Sequence, residues 1–310
     1  MLVFLGPTPV WQRTMVFERF AVDAVNRAVE VREYASGKSN NAARVARALG
    51  ATVVSCGFAG GARGKAMEQD LLRVGITPQF VEVEHPTREC VTVVDREGGT
   101  ATELVEEAGP ATATQHERLL DVVRGHVGRR CDAVVCSGTL TPGEPAGYFA
   151  KVVEIAKARN VPTIVDTRGP TLSFAVKAGA TLVKPNAAEL GQTVGRPVTT
   201  EAEIVSAARE LIAQGCEWVL VTRGGEPAVA VSRDKALRLH IPKVQVVNPI
   251  GSGDSVAGGL AYGLGRMQTI EESLPLAIAC GSANALTLLA GEVDPDVARR
   301  LAGQVRVEQV

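Results

Sequence analysis

Ala133-Val134-Val135-Cys136 leads through Ser137-Gly138-Thr139-Leu140 to a helical pattern over Ala146–Ala158, and then to Thr163-Ile164-Val165. The first and last of these segments are apolar almost throughout, so neither presents a wet face, while the segment between carries apolar residues at helical spacing. Two strands buried on both faces and joined by a helix form a crossover unit whose strands run parallel. The rhythm extends both ways along the chain. Strands are predicted at Thr52–Cys56, Thr181–Val183 and Trp218–Val221, and helices at Ala42–Leu49, Gly64–Val74, His116–Val127 and Glu201–Gln214. The fold class is therefore α/β, a mostly parallel sheet covered by helices on both faces.

Two regions break the rhythm. Met15–Tyr34 and Arg88–Val105 alternate apolar and polar residues, as in Val91 and Val93 beside Thr92 and Asp95. That predicts antiparallel strands with one wet face, a small sheet projecting from the parallel body as a lid or dimer contact. There is no internal repeat and no low-complexity linker. The expected organisation is one domain over residues 1–310, with lid strands at about 12–35 and 88–106.

A composition of 45% hydrophobic and 22% charged residues excludes a disordered or fibrous chain. Thirty-three Lys and Arg against thirty-four Asp and Glu leave a net charge of −1, which excludes a broad nucleic-acid or anionic-membrane surface but permits a small basic pocket. The six cysteines form no CxxC and lie mostly in apolar runs, so they read as buried, reduced thiols. Four scattered histidines give no zinc spacing. The N-terminal MLVFLGPTPVWQ has no basic leader region, and the uncharged stretch Ser273–Gly291 is interrupted by Pro275, Gly281, Ser282 and Asn284. It reads as a buried helix rather than a bilayer span, and a cytoplasmic protein is expected.

Aromatics are only 4% while glycine reaches 32 residues, so glycine placement carries information. The densest cluster is Asn248-Pro249-Ile250-Gly251-Ser252-Gly253-Asp254-Ser255-Val256-Ala257-Gly258-Gly259. Gly251, Ser252 and Gly253 can expose consecutive backbone N–H groups where a helix begins, a setting that binds phosphate oxygens. A carboxylate at Asp254 would repel such a ligand, so its presence suggests a chemical task, the positioning and deprotonation of an attacking hydroxyl. A turn with an N-cap is the equally weighted alternative. Gly37-Lys38-Ser39 lacks the Gly five residues earlier that a P-loop needs, and Gly60–Lys65 fails likewise. No GxGxxG follows a strand, so a dinucleotide site is unsupported.

Seven collinear motifs make the reading specific. They are Ser36–Arg44 (SGKSNNAAR), Thr87-Arg88, Ser137–Leu140, Asp166-Thr167, Lys184–Leu190 (KPNAAEL), Val221–Gly225 (VTRGG) and Gly251–Asp254. From about residue 5 to residue 291 the chain resembles the ribokinase-type, or phosphofructokinase-B, carbohydrate kinases, within them the fructose-1-phosphate and tagatose-6-phosphate kinase branch. The resemblance implies a ribokinase-like three-layer sandwich with a small antiparallel β-sheet lid, and a homodimer formed through that sheet. It implies transfer of the ATP γ-phosphoryl group to a sugar hydroxyl, with Asp254 as base and the amides of Gly251, Ser252 and Gly253 as anion hole. ATP would be held by Lys184, Asn186, Thr222, Gly224, Gly281 and Asn284. Asn186 and Glu189 would organise Mg²⁺ through water, although Asn-x-x-Glu standing alone reads first as a helix cap. Lys38 and Arg88 would hold the acceptor's phosphate together with Ser137, while Gly37 lets the chain approach it. Asn41 and Asp166 would bind sugar hydroxyls.

Four positions depart from the branch. Gln12 stands where an Asp usually grips the sugar, Ser36 and Ser39 replace glycines beside the phosphate lysine, and Pro227 replaces a later Gly. The implied reaction is phosphorylation of a ketohexose phosphate, with fructose 1-phosphate first and tagatose 6-phosphate and fructose 6-phosphate close behind. The alternatives are a kinase of a plain sugar or nucleoside, and a non-catalytic sensor on the same fold.

Overall fold

The computed structural model describes residues 1–310. In chain order its strands are β1 (Leu2–Leu5), β2 (Val10–Phe17), β3 (Glu30–Ser36), β4 (Val53–Ala59), β5 (Thr77–Glu82), β6 (Arg88–Asp95), β7 (Thr100–Val105), β8 (Ala133–Ser137), β9 (Thr163–Asp166), β10 (Leu182–Val183), β11 (Trp218–Arg223), β12 (Glu226–Ser232), β13 (Ala236–His240) and β14 (Arg306–Gln309). The helices are α1 (Lys38–Ala48), α2 (Gly61–Arg73), α3 (Ala113–Val127), α4 (Tyr148–Lys157), α5 (Gly169–Ala178), α6 (Ala187–Val194), α7 (Glu201–Gln214), α8 (Ser252–Gly265), α9 (Ile270–Ala285) and α10 (Pro295–Ala302).

Ten strands form one sheet in the order β14-β13-β12-β11-β10-β9-β8-β1-β4-β5. The seven from β5 to β11 run parallel, and β12, β13 and β14 extend that edge antiparallel. Side-chain alternation along β1 shows how the layers are fed. Val3 and Leu5 enter the core under α3, α4, α5 and α7, whereas Leu2 and Phe4 enter the core under α1, α2, α8 and α9. Helices thus cover both faces, giving three layers. The interior is aliphatic and close-packed: a Cβ on Gly258 would lie 2.4 Å from the Ala42 carbonyl oxygen and one on Gly259 2.7 Å from the Ala277 Cα. Small residues let α8 approach α1 and α9, one use the chain makes of its many glycines.

Sequence reasoning overlooked β1, the strand at which the sheet order reverses, because it is four residues long and precedes Gly6. The antiparallel edge β12–β14 was also missed. The uncharged stretch lies mostly in α9, capped at Thr269 by a reciprocal bond with Glu272. No helix is long and apolar enough to cross a membrane.

The second sheet has four strands in the order β3-β2-β6-β7. Its two hairpin pairs are antiparallel as expected, but β2 and β6 pair parallel. The connection between them runs through β3, α1, β4, α2 and β5, so no tight turn forces them to oppose. Between β2 and β3, residues 18–29 are irregular rather than strand, a correction to the alternation read there.

Candidate active site

Strand order reverses at β1: the chain builds outward through β4 and β5 on one side and through β8, β9 and β10 on the other. In an open parallel sheet, the crevice beyond the C-terminal strand ends at such a reversal is where ligands bind. Here the segments leaving β1 (Gly6, Thr8, Pro9) and β8 (Ser137, Gly138, Thr139) meet the start of α1 around a cavity of about 170 Å³. Lys38, Arg88, Arg168 and Glu107 complete its wall. A second cavity of about 550 Å³ is lined by Thr222, Gly224, Ile241, Val244, Val246, Ser252, Gly253, Val256, Gly281 and Ser282 among others. Its aliphatic lining and single cationic side chain, Lys243, suit a flat heteroaromatic base with a charged tail.

Asp254 stands next to wall elements of both. It follows Gly253, which lines the larger cavity, and accepts a 2.8 Å hydrogen bond from Asn41 Nδ2, on the helix whose Lys38, Ser39 and Asn40 line the smaller one. Its side chain is buried. Burial raises the carboxyl; Lys38, the Asn41 bond and Lys184 pull it down, nearby Asp166 adds to the rise, and the balance is a pKa of about 6. That lies near neutrality, the range in which a carboxylate is most effective as a general base.

Asp166 is 1% exposed and sits between two ammonium groups, with Lys38 Nζ 3.1 Å from Oδ1 and Lys184 Nζ 3.0 Å from Oδ2. Burial opposes its charge, but Lys184 and Lys38 together hold it below the ordinary carboxylate range. Lys38 also lies 3.7 Å from Glu189 Oε1. Burial would lower its pKa, yet Asp166, Asp254 and Glu189 outweigh that and hold it above the usual lysine value. Lys38 thus stays a cation, placed close to Asp254.

Helix α8 starts from Gly251, whose φ of +83° is left-handed and whose Cβ would meet Ala290 at 2.8 Å, so only glycine fits. No side chain caps this end. The Ser252 N–H donates to the Pro249 carbonyl at 3.2 Å, while the N–H groups of Gly251, Gly253 and Asp254 have no protein acceptor. Of the three amides expected to form an anion hole, those of Gly251 and Gly253 are thus free, that of Ser252 is engaged, and the Asp254 N–H is free beside them. Lys184 Nζ lies 3.5 Å from the position a Cβ on Gly253 would take, adding a cation to the same end.

The structure gives several residues singled out from the sequence internal partners and sets others on the cavity walls. Asn41 holds Asp254, and its amide oxygen accepts from Ser36 Oγ at 2.9 Å. Gln12 is buried under the small sheet and donates to Thr92 Oγ1 at 2.9 Å, outside the wall of either cavity. Asn284 stands behind the larger cavity. Its Nδ2 donates to the Ile250 carbonyl and its Oδ1 accepts from the Gly291 N–H, so it pins the turn before α8 to the loop after α9. Asn186 and Glu189 form a complete capping box on α6. Asn186 also bridges to Thr222 at the ends of β10 and β11, beside the larger cavity. Ser137 lines the smaller cavity with a buried hydroxyl that has no partner, and Gly37 lies beside it. Sequence reasoning missed Ser39, Arg168 and Ser282. The hydroxyls of Ser39 and Ser282 are buried without partners, one in each cavity. Being adjacent to Gly281 was the only signal for Ser282.

The residues around Glu189 fit a magnesium ion carried in with a nucleotide. No cluster of three metal-binding side chains exists, but Mg²⁺ keeps several waters and needs only one or two carboxylates. Glu189 uses Oε2 in the cap and leaves Oε1 facing Lys38.

A model of the pfkB family of carbohydrate kinases matches residues 9–296. Tagatose-6-phosphate kinase of Staphylococcus epidermidis is 32% identical over 313 aligned residues, spanning 100% of both chains. Among solved structures, phosphofructokinase-2 of Escherichia coli, crystallised with potassium, superposes with a TM-score of 0.89 at 24% identity over 98% of each chain. A Thermotoga maritima protein described as a possible 1-phosphofructokinase superposes at 0.91 with 22% identity, over 100% of this chain and 99% of its own. These two show a shared fold, and the sequence matches carry the assignment further. With the motifs of the two cavities in their expected order, they establish that this chain belongs to the pfkB family of carbohydrate kinases.

Proposed function

We propose that this protein transfers the γ-phosphoryl group of ATP to a hydroxyl of a ketohexose phosphate. The observation that carries the reading is the position of Asp254, buried, raised toward neutrality, next in sequence to Gly253 of the larger cavity and hydrogen-bonded to the helix whose start lines the smaller one. On this reading the larger cavity takes adenine and ribose against Gly281 and Ser282, and Gly224, Thr222, Asn186 and Lys184 lie along the phosphates. Mg²⁺ near Glu189 would neutralise phosphate charge when bound. The free amides at α8 and the Lys184 ammonium face the charge that develops on the transferring group. Asp254 orients the acceptor hydroxyl and takes its proton, and Asn41 fixes the carboxylate for that step.

The smaller cavity is polar and cationic, which favours a phosphorylated sugar over a plain sugar or nucleoside. Fructose 1-phosphate, tagatose 6-phosphate and fructose 6-phosphate, in their furanose forms, each place a phosphomethyl group and a free hydroxymethyl group at opposite ends of the ring. Such a molecule can rest its phosphate among the cations while its other end meets Asp254. With Gln12 engaged by Thr92, the grip usually supplied by an Asp is absent, and the phosphate end carries more of the recognition. A purely binding sensor would gain nothing from a carboxylate facing a phosphate site.

The test is ADP release with Mg²⁺-ATP across phosphorylated sugars, plain sugars and nucleosides. Turnover confined to ketohexose phosphates supports the reading, and turnover only with nucleosides or plain sugars refutes it. We further expect residues 1–310 to unfold as one domain and to dimerise through the small sheet, whose flank exposes Val22, Val25, Val29, Val31 and Leu104. Light scattering reads the assembly directly.

A further inference from the structure

We propose that Arg168 is the principal cation for the acceptor's phosphate, with Lys38 retained on the catalytic side; this rests on the sugar-phosphate-kinase reading above. Three cations line the smaller cavity, Lys38, Arg88 and Arg168, and one carboxylate, Glu107, opposes them. Two of the cations are already committed. Lys38 pairs with Asp166 at 3.1 Å and stands 3.7 Å from Glu189, so its charge is matched by its own neighbours. Arg88 donates to the Thr8 carbonyl at 2.9 Å and to the Glu106 carbonyl at 3.3 Å, which anchors its guanidinium to the backbone, and its buried Nε–H has no partner. Arg168 is exposed on the wall and bonds to no other side chain or backbone group.

Two further groups point to the same ligand. Ser39 and Ser137 are 6% and 2% exposed, line this cavity, and have hydroxyls without any partner. A buried polar group left unsatisfied is costly, so these hydroxyls mark where a ligand's acceptor atoms sit. A phosphate dianion supplies enough oxygens to satisfy both hydroxyls, the Arg88 Nε–H and the planar fork of a free guanidinium together. Charge makes Arg168 decisive. With Lys38 balanced by Asp166 and Glu189, Arg88 and Arg168 face the ligand against Glu107, and removing Arg168 leaves the entrance close to neutral. Arg168 follows Asp166 by two residues, directly beyond β9, so the strand that carries Asp166 to Lys38 also fixes the backbone of Arg168.

The test compares the parent with Arg168→Ala, Arg168→Lys and Lys38→Ala. Because Arg168 makes no internal bond, its variants should keep the parent's circular dichroism and melting temperature. With saturating ATP, Arg168→Ala should raise the KM for the phosphorylated acceptor about ten- to hundredfold, the scale of a charge-assisted contact. Its effect on kcat and on the KM for ATP should be small, and Arg168→Lys should recover part of the loss. Lys38→Ala should chiefly lower kcat. Inorganic phosphate, measured by calorimetry, should bind Arg168→Ala correspondingly more weakly. An unchanged acceptor KM in an active enzyme, or an equal loss for the unphosphorylated sugar, would overturn the assignment. A parent that turns over no sugar phosphate would refute the functional reading instead, and phosphate affinity would then decide the role of Arg168 alone.

Discussion

Replacing Asn41 by alanine should change the pH dependence of the enzyme rather than simply its rate. Asn41 Nδ2 donates to Asp254 Oδ2 at 2.8 Å, a bond that favours the ionised carboxylate. A hydrogen bond to a charged group contributes about 1.5–3 kcal/mol, so its loss should raise the Asp254 pKa by roughly one to two units. The starting value is about 6. At pH 7 the ionised fraction would then fall from about nine-tenths to somewhere between roughly one-half and one-tenth, a two- to tenfold loss. Near pH 9 most of that loss should vanish, because the carboxylate ionises again. The assay is the pH profile of kcat/KM for the acceptor, which reports the essential groups of the free enzyme. An acid limb displaced to higher pH is the expected result. A drop of equal size at every pH would refute the reasoning and return Asn41 to the role of a sugar ligand.

Lys184→Met strips a buried partner from Asp166, leaving only the partly exposed Lys38 beside it. Urea denaturation should show a loss of about 3–5 kcal/mol, and the added change Asp166→Asn should restore part of it. Asp254→Asn should melt at a higher temperature than the parent at pH 7. Burial raises the Asp254 pKa above its unfolded value, so the stability this group contributes is complete below the unfolded pKa and lost as pH rises through about 6. The difference in melting temperature should therefore close toward pH 4. The thiols of Cys56 and Cys280 are buried and pushed up to about 12, so a maleimide at pH 8 should leave both unlabelled in the native protein. Denaturant should expose all six cysteines to it.

The body of the fold was legible because strands buried on both faces are apolar throughout, as in Val134-Val135-Cys136, and helices such as Glu201–Gln214 carry their own caps. What escaped notice lacked local signals. Strand β1 is short, yet the reversal of sheet order at it locates the smaller cavity. The parallel pairing of β2 with β6 depends on strands about eighty residues apart, which alternation cannot reveal. At the site, residue types were visible but not their partners. Asn41, Asn284 and the Asn186–Glu189 pair carry polar groups that could have faced ligands, and the fold turns them toward Asp254, a loop and a helix end. Arg168 stood unnoticed beside Asp166 because a lone arginine in a loop ordinarily meets only water.

The central claim is that Asp254 performs chemistry at an otherwise complete binding site. The most direct measurement takes the best ketohexose phosphate acceptor and compares ADP release by the parent and Asp254→Asn, with ATP affinity determined for both. Loss of a positioned base should lower turnover by about 10²–10⁴ and leave ATP affinity similar. Turnover equal to the parent's would contradict the account.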